Sequence, residues 1–226
     1  MRLPSAVPFL DREVYPWTKE EAIGWVKTTL GEGGKGNLFT LNPETWNETR
    51  GDTLAHAHWI PESVMAVWGM KKKGIKAPRT SGADLVFSLL ERHSVPVVCW
   101  GGDLDTVQGI EANWCGEASI AAALNGYTSS LEEVVEACRR VEPCLLLAGL
   151  GAGRQERALS LIIPLLKSVV GIGVGGVLDI LAGKRRRAPR WIVKNGLEAV
   201  WRVLPSGRRW KRLAQSHIPF VKEVLR

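Results

Sequence analysis

Residues 144–156 read CLLLAGLGAGRQE: an apolar run that stops on Gly149, crosses Gly151 and Gly153, and re-enters charged sequence at Arg154. A run this short and this apolar reads as a strand buried on both faces, and glycines directly after it form the turn into a helix. The same grammar recurs on both sides. Val169–Val174 ends in Gly175-Gly176, and Val95–Trp100 is closed by Gly101-Gly102. Asn37–Leu41 follows the loop GEGGKG, and His58–Pro61 is a short fifth strand. Helices fill the intervals. Thr18-Lys-Glu-Glu21 ahead of Ala22, Ile23, Trp25 and Val26 is a capping box. The pattern predicts further helices over Pro43–Ala55, Val64–Lys72, Ser81–Glu91, Leu104–Trp114 and Leu131–Arg140. Strands alternating with helices predict an α/β fold: a single Rossmann-like domain with a mostly parallel sheet, whose ligands bind beyond the carboxyl ends of the strands.

The chain has 226 residues, 45% hydrophobic and 23% charged, with a formal net charge of +7. That mixture excludes a disordered, collagen-like or disulfide-dense chain. The charge is unevenly placed. Residues 184–226 hold 13 basic and two acidic side chains, a net of +11, whereas residues 1–183 net −4. We therefore expect an α/β body over 1–183 and a basic, helical Trp/Arg-rich appendage over 184–226, with an anionic partner for the appendage. The N-terminus does not read as a secretory signal. The longest uncharged run in the apolar stretch 158–182, Ser168–Leu178, is shorter than the ~20 residues that span a bilayer. Cys99, Cys115, Cys138 and Cys144 have neither CxxC nor zinc-ligand spacing and read as reduced thiols. His56 and His58 would share a face only on a strand, where local packing is favoured over a metal site.

Three glycine-rich segments could cradle phosphate. GEGGKGN lacks the Walker A spacing and reads as a surface loop. GIGVGG (171–176) matches GxGxxG, but the match starts inside a strand, so no nicotinamide cofactor is expected. GLGAGRQE (149–156) sits at a strand-to-helix switch, where an anion cradle and a structural turn are equally good readings. The run Lys184–Arg187 reads as a solvated face, as a nucleic-acid contact or as a lipid contact. Trp191, Trp201 and Trp210 among arginines suit base stacking and membrane headgroups alike.

Taken in order, these segments resemble the WecG/TagA/CpsF family of bacterial glycosyltransferases. Gly149–Glu156 looks like that family's GxPKQE turn, and Gly173–Gly183 (GVGGVLDILAG) like its GVGxxFDxxAG block. KRRRAPRWIVKNGLEAVWRVL with RRWKRL, together Lys184–Leu213, is similar to its RAP…GLEW…R…RRxxRY ending. Earlier, Thr40–Pro43 matches a TxN strand end, Arg79–Leu85 an RxxGxDL segment and Gly126-Tyr127 a GY turn, so the resemblance covers roughly residues 8–213.

The resemblance implies an inverting glycosyltransferase that needs no metal or other cofactor. It would move a hexose or N-acetylhexosamine of the N-acetylmannosamine type from a UDP-sugar to a sugar on a lipid diphosphate. The products of such enzymes enter cell-surface polysaccharide or teichoic acid. Asp103-Leu-Asp105 has DxD spacing but lies where the family has only a turn. The enzyme would be cytoplasmic, peripheral on the inner face of the cell membrane, without a nucleic-acid partner and possible as a homo-oligomer. By similarity the base is Glu62, the catalytic Thr40 would contact the sugar or diphosphate together with Asn42, and Arg202, Arg209 and Arg212 would be supplied to the leaving diphosphate. Asn42, Arg79, Gly151, Gln155, Glu156 and Asp179 would bind the donor, and Trp201, Arg208, Trp210 and Lys211 the membrane.

Two departures stand out. The family's base lies in a PDG turn where this chain has Pro61-Glu62-Ser63, and Gly153 replaces the family's proline. A carboxylate moved by ~1 Å costs ~10²-fold in rate, so the alternatives are a working base, an impaired one or a changed choice of substrate. A catalytically weak relative that binds nucleotide-sugars or scaffolds a complex is the rival reading.

Overall fold

The computed structural model describes residues 3–92, 94–187, 189, 192 and 207–226, the side chains of Arg92 and of 207–213 excepted. An eight-stranded sheet forms the centre. Its strands are β1 (Val7–Phe9), β2 (Arg12–Val14), β3 (Gly36–Leu41), β4 (Ala57–Pro61), β5 (Val97–Gly101), β6 (Ile120–Leu124), β7 (Cys144–Gly149) and β8 (Val169–Gly173). They lie in the order β1-β2-β4-β3-β8-β7-β5-β6. Only β1 and β2 pair antiparallel, and every other pairing is parallel. The expected α/β class with a mostly parallel sheet is what the chain forms.

The helices are α1 (Lys19–Gly31), α2 (Pro43–Thr49), α3 (Val64–Lys72), α4 (Gly82–Arg92), α5 (Leu104–Asn113), α6 (Leu131–Arg139), α7 (Arg154–Ile162), α8 (Val177–Leu181) and α9 (Gly207–Leu225). Side-chain alternation along the strands sorts them into two layers. Leu145 and Leu147 face one core with α1, α4, α5 and α8, whereas Leu146 and Ala148 face the other with α2, α3, α6, α7 and α9. Burial on both faces explains why β7 and β8 read as unbroken apolar runs and β3 as a mostly apolar one.

The predicted elements recur with four corrections. The helix from Pro43 stops at Thr49 rather than Ala55, because Arg50 turns extended and Gly51 takes a positive φ of 80°. The strand Ile120–Leu124 was not read from the sequence, and neither was the hairpin β1–β2, whose turn places Leu10 at φ 55°. The five-residue α8 was likewise missed.

The C-terminal helix is built into the core. Phe220 meets Trp46 edge-on at 5.5 Å and lies 6.3 Å from Phe9. A methyl group on Gly69 would come within 2.9 Å of Val224, so glycine permits this close packing of α9 on α3. No helix among the described residues is long and apolar enough to cross a membrane.

Candidate active site

All parallel strands end at one edge of the sheet. Beyond β3 the chain enters α2 on one face, and beyond the neighbouring β8 it enters α8 on the other. Beyond β7, on the other side of β8, the chain returns to the first face through α7. Such reversals open a crevice at the strand ends, which is where doubly wound sheets take their ligands.

Glu62 stands on one wall of this crevice, directly after β4. Its Oε2 accepts a hydrogen bond from Asn42 Nδ2 at 2.9 Å, and its Oε1 accepts one from the Gly82 amide at 3.3 Å. The Asn42 side chain is the N-cap of α2, where its Oδ1 accepts from the Glu44 and Thr45 amides. One asparagine therefore joins the start of α2 to the carboxylate. Thr40 lies beneath, 6% exposed. The third side is closed because residue 82 has no side chain: a Cβ there would stand 2.7 Å from Thr40 Cγ2 and 3.1 Å from Glu62 Oε1. Thr80 anchors the approach to α4, its amide donating to the Pro61 carbonyl at 2.8 Å and its hydroxyl to the Trp17 carbonyl at 2.7 Å. Arg79, half-buried, precedes that anchor.

Across the crevice, Gln155 and Glu156 open α7, but both are buried. Gln155 Nε2 donates to Glu156 Oε1 at 2.8 Å, and Gln155 Oε1 accepts from the Gly175 amide at 3.1 Å. The Gly153 amide donates to Glu156 Oε2 at 2.7 Å. This pair holds the loop 174–176 after β8 against the turn 151–153. Burial pushes the Glu156 carboxyl above the usual carboxylate range despite these donors, and the Glu62 charge adds to the push. Gly151 and Gly153 have φ of 88° and 81°. Proline, confined near −65°, cannot stand at 153 in this backbone.

The third group surrounds Asp179 in α8. Asp179 Oδ1 accepts from Thr106 Oγ1 at 3.4 Å, and Arg185 Nη1 lies 3.8 Å from Asp179 Oδ2. Asp103 caps α5, and Lys184 Nζ donates to its Oδ1 at 2.5 Å. That ammonium holds the Asp103 carboxyl down to about 2. Arg187 pairs with Asp84 in the first turn of α4 and lies over the Phe87 ring.

Of the predicted residues, Thr40, Asn42, Glu62 and Arg79 gather on one wall. Gly151, Gln155 and Glu156 form the glycine-turn wall, and Asp179 stands at the far end. Arg202 and Trp201, and the side chains of Arg208, Arg209, Trp210, Lys211 and Arg212, lie outside the described residues. Gly82 was missed as a site residue, although the quoted RTSGADL segment contained it. Tyr127, 75% exposed on the turn after β6, was noted only as part of a motif. Gly126 beside it packs on Gly101 and Leu150 at the same edge of the sheet. His58 packs locally: its ring lies 4.3 Å from Trp25 and 5.0 Å from Tyr15, and burial holds its pKa down.

The α9 backbone also relates to this edge. Lys73 at the end of α3 and Arg226 after α9 line one groove, so both helices finish at the opposite edge of the sheet. Because Phe220 is level with the middle of α2, the start of α9, 13 residues earlier, lies about 20 Å back along the axis, towards the crevice.

Comparison with known proteins agrees with this architecture. A family model described as "Glycosyl transferase WecG/TagA/CpsF family" matches residues 7–226. The chain is 28% identical over 189 residues to an N-acetylglucosaminyldiphosphoundecaprenol N-acetyl-beta-D-mannosaminyltransferase of Bacillus subtilis, covering 78% of this chain and 74% of the relative. It is 27% identical over 226 residues to a protein of the same description from Bacillus spizizenii, covering 92% and 85% respectively. With a family match across nearly its whole length and a doubly wound sheet behind the crevice, the chain belongs to the WecG/TagA/CpsF family of glycosyltransferases.

Proposed function

We propose that the protein is an inverting glycosyltransferase that moves an N-acetylmannosamine-type sugar or a hexose from a UDP-sugar to a polyprenyl-diphosphate-linked sugar. The printed descriptions of the Bacillus relatives support the lipid-diphosphate acceptor. The observation that carries the chemistry is the Glu62 carboxylate, held by Asn42 and Gly82 at the crevice wall. Two donors fix its oxygens without neutralising it, the condition for a base that must take a proton at a defined place. The acceptor oxygen attacks the anomeric carbon from the side opposite the diphosphate, and its proton passes to Glu62. The bond from that carbon to the diphosphate oxygen breaks with its electron pair going to the oxygen.

The charge that develops on the diphosphate has to be met by cations and amide N–H groups. Arg79 on the base's side contributes, and the run of α9 towards the crevice supports contributions from Arg209 and Arg212, with Arg202 preceding them. No divalent metal is assigned a role in this reading. Asp179 is assigned to the nucleotide, and the exposed Tyr127 ring, on the turn after β6 at the same edge of the sheet, offers a face that suits stacking of a base.

Two helices support peripheral membrane association. Outward-facing Val64 on α3 and Ile218 and Leu225 on α9 are 49%, 55% and 64% exposed, and exposed Lys71, Lys72 and Lys222 accompany them. Exposed apolar side chains and lysines on the same helices suit the headgroup region of an anionic bilayer, and would add to Trp201, Arg208, Trp210 and Lys211.

The test is UDP release from a panel of UDP-sugars with a lipid-diphosphate-sugar acceptor. Glu62→Gln is expected to abolish transfer while UDP-sugar binding persists. Undiminished turnover in that variant would sink the base assignment, and absence of transfer from every donor would sink the activity.

A further inference from the structure

The segment that leaves α8 crosses the carboxyl edge of the sheet as a strap with three anchored cations. Lys184 is fastened to Asp103 at 2.5 Å, and Arg187 to Asp84. Arg185, between them, is held differently. Its backbone amide donates to the Asp179 carbonyl at 3.1 Å, but its guanidinium is only 3.8 Å from the Asp179 carboxylate, and both side chains are about one-third exposed, 37% and 33%. A long, partly exposed ion pair is a weak tie, readily exchanged for a better anion. Where the guanidinium rests is specific. A Cβ on Gly176 would stand 3.3 Å from Arg185 Nη1, so the guanidinium lies over the glycine loop 174–176 after β8. Gln155 fixes that loop through the Gly175 amide, and Val174 donates its own amide to the Ala148 carbonyl at 2.8 Å.

We propose that Arg185 is a diphosphate-binding residue, releasing Asp179 and taking the donor's phosphate oxygens when the nucleotide-sugar enters. The inference rests on the UDP-sugar reading above and adds a residue which that reading does not use. Three features of the structure converge on it. The flanking anchors hold the strap's backbone over the crevice, so the guanidinium needs only side-chain rotation to turn from Asp179 towards a ligand. A planar guanidinium offers two parallel N–H donors to a phosphate, which a lone ammonium does not. Glycine at 175 and 176 leaves the loop open to an anion lying on its backbone. In the absence of donor, Asp179 serves as the placeholder anion. Donor binding then frees the Asp179 carboxylate for the nucleoside hydroxyl or imide N–H groups in the same motion. Diphosphate and nucleoside recognition are thereby coupled through one ion pair.

The experiment measures binding of uridine, UMP and UDP to the full chain, as wild type, Arg185→Ala and Arg185→Lys, at fixed salt. Loss of a charge-assisted hydrogen-bonded contact predicts UDP binding weakened by about 10- to 100-fold in Arg185→Ala, partly restored in Arg185→Lys, with uridine changed by no more than about 2-fold. The wild-type preference for UDP over uridine should also fall with added salt more steeply than in Arg185→Ala. Equal losses for uridine and UDP would overturn the proposal, since Arg185 would then only orient Asp179. Unchanged UDP binding in Arg185→Ala would overturn it as well. Wild-type protein that binds uridine but gains nothing from the phosphates overturns this proposal alone. Failure to bind any of the three overturns the UDP-sugar reading with it. A urea midpoint unchanged from wild type shows that both variants are folded.

Discussion

Gly82→Ala tests the geometry of the base without changing its chemistry. The added Cβ would stand 2.7 Å from Thr40 Cγ2, where carbon atoms ordinarily keep about 3.5–4.0 Å, and 3.1 Å from Glu62 Oε1, on which it would push. Thr40 is buried on β3, in the middle of the sheet, so the start of α4 has to withdraw by about 1 Å. The Gly82 amide then passes from 3.3 Å to beyond hydrogen-bonding reach of Glu62 Oε1, leaving Asn42 as the carboxylate's described donor. The effects on stability oppose each other: alanine gains up to about 1 kcal/mol of helix propensity, and overpacking costs about 1–3 kcal/mol. The net destabilisation is about 0–2 kcal/mol, within what a folded domain tolerates. The effect on rate has no such compensation, because a base displaced by ~1 Å loses ~10²-fold. Steady-state UDP release, with urea unfolding run alongside, should show kcat lowered by about 10- to 100-fold while the KM for donor moves by less than about 3-fold. A folded variant with kcat within about 2-fold of wild type would refute the idea that Gly82 positions Glu62.

Other perturbations follow from the same geometry. Glu62→Asp restores the carboxylate that the family's PDG turn carries, yet withdraws it from both Asn42 Nδ2 and the Gly82 amide, so kcat should fall by about 10-fold or more rather than rise. Gly153→Pro likewise restores a family residue, but into a backbone at φ 81°. It also removes the amide that donates to Glu156, so urea unfolding should show a loss of about 3 kcal/mol or more. Because burial raises the Glu156 carboxyl above its ordinary 4.5, the folded chain keeps that proton where the unfolded chain has released it. Stability should therefore decline as pH rises from 4.5 through the folded-state value, and urea midpoints of Glu156→Gln should lose that slope. Asp103 titrates in the opposite sense. Lys184 holds its carboxyl at about 2, so the tie persists above that pH and dissolves below it, and carboxyl NMR of Lys184→Met should return the midpoint towards 3.8.

What could be read in advance follows from how far apart the cooperating residues are. β3, β7 and β8 were legible because burial on both faces writes a local signature, a wholly or mostly apolar run closed by glycine or by Asn-Pro. Ile120–Leu124 carries three alanines and is only partly buried, so neither periodicity nor β-branching marks it as a strand. The arrangement at Glu62 joins residues 20 positions apart on either side, Asn42 and Gly82, and its closest contact depends on an absent side chain. No local pattern records that. The basic run Lys184–Arg187 was the least legible, since adjacent cations read alike as a solvated face, a nucleic-acid contact or a lipid contact. In the fold three of the four, Lys184, Arg185 and Arg187, separate onto Asp103, Asp179 and Asp84, carboxylates at the starts of three different helices. The +11 of residues 184–226 is therefore not a single anion-seeking surface. Lys184 and Arg187 are paired with the body and hold the strap across the crevice, while Arg185 is only loosely tied and Arg186 is exposed. The same ion pairs anchor the strap at the point from which the chain departs towards α9, whose first turns lie back along the helix towards the crevice. A segment that composition alone assigns to membrane or nucleic acid is thus tied first to the site, and only its remainder is available to a lipid surface.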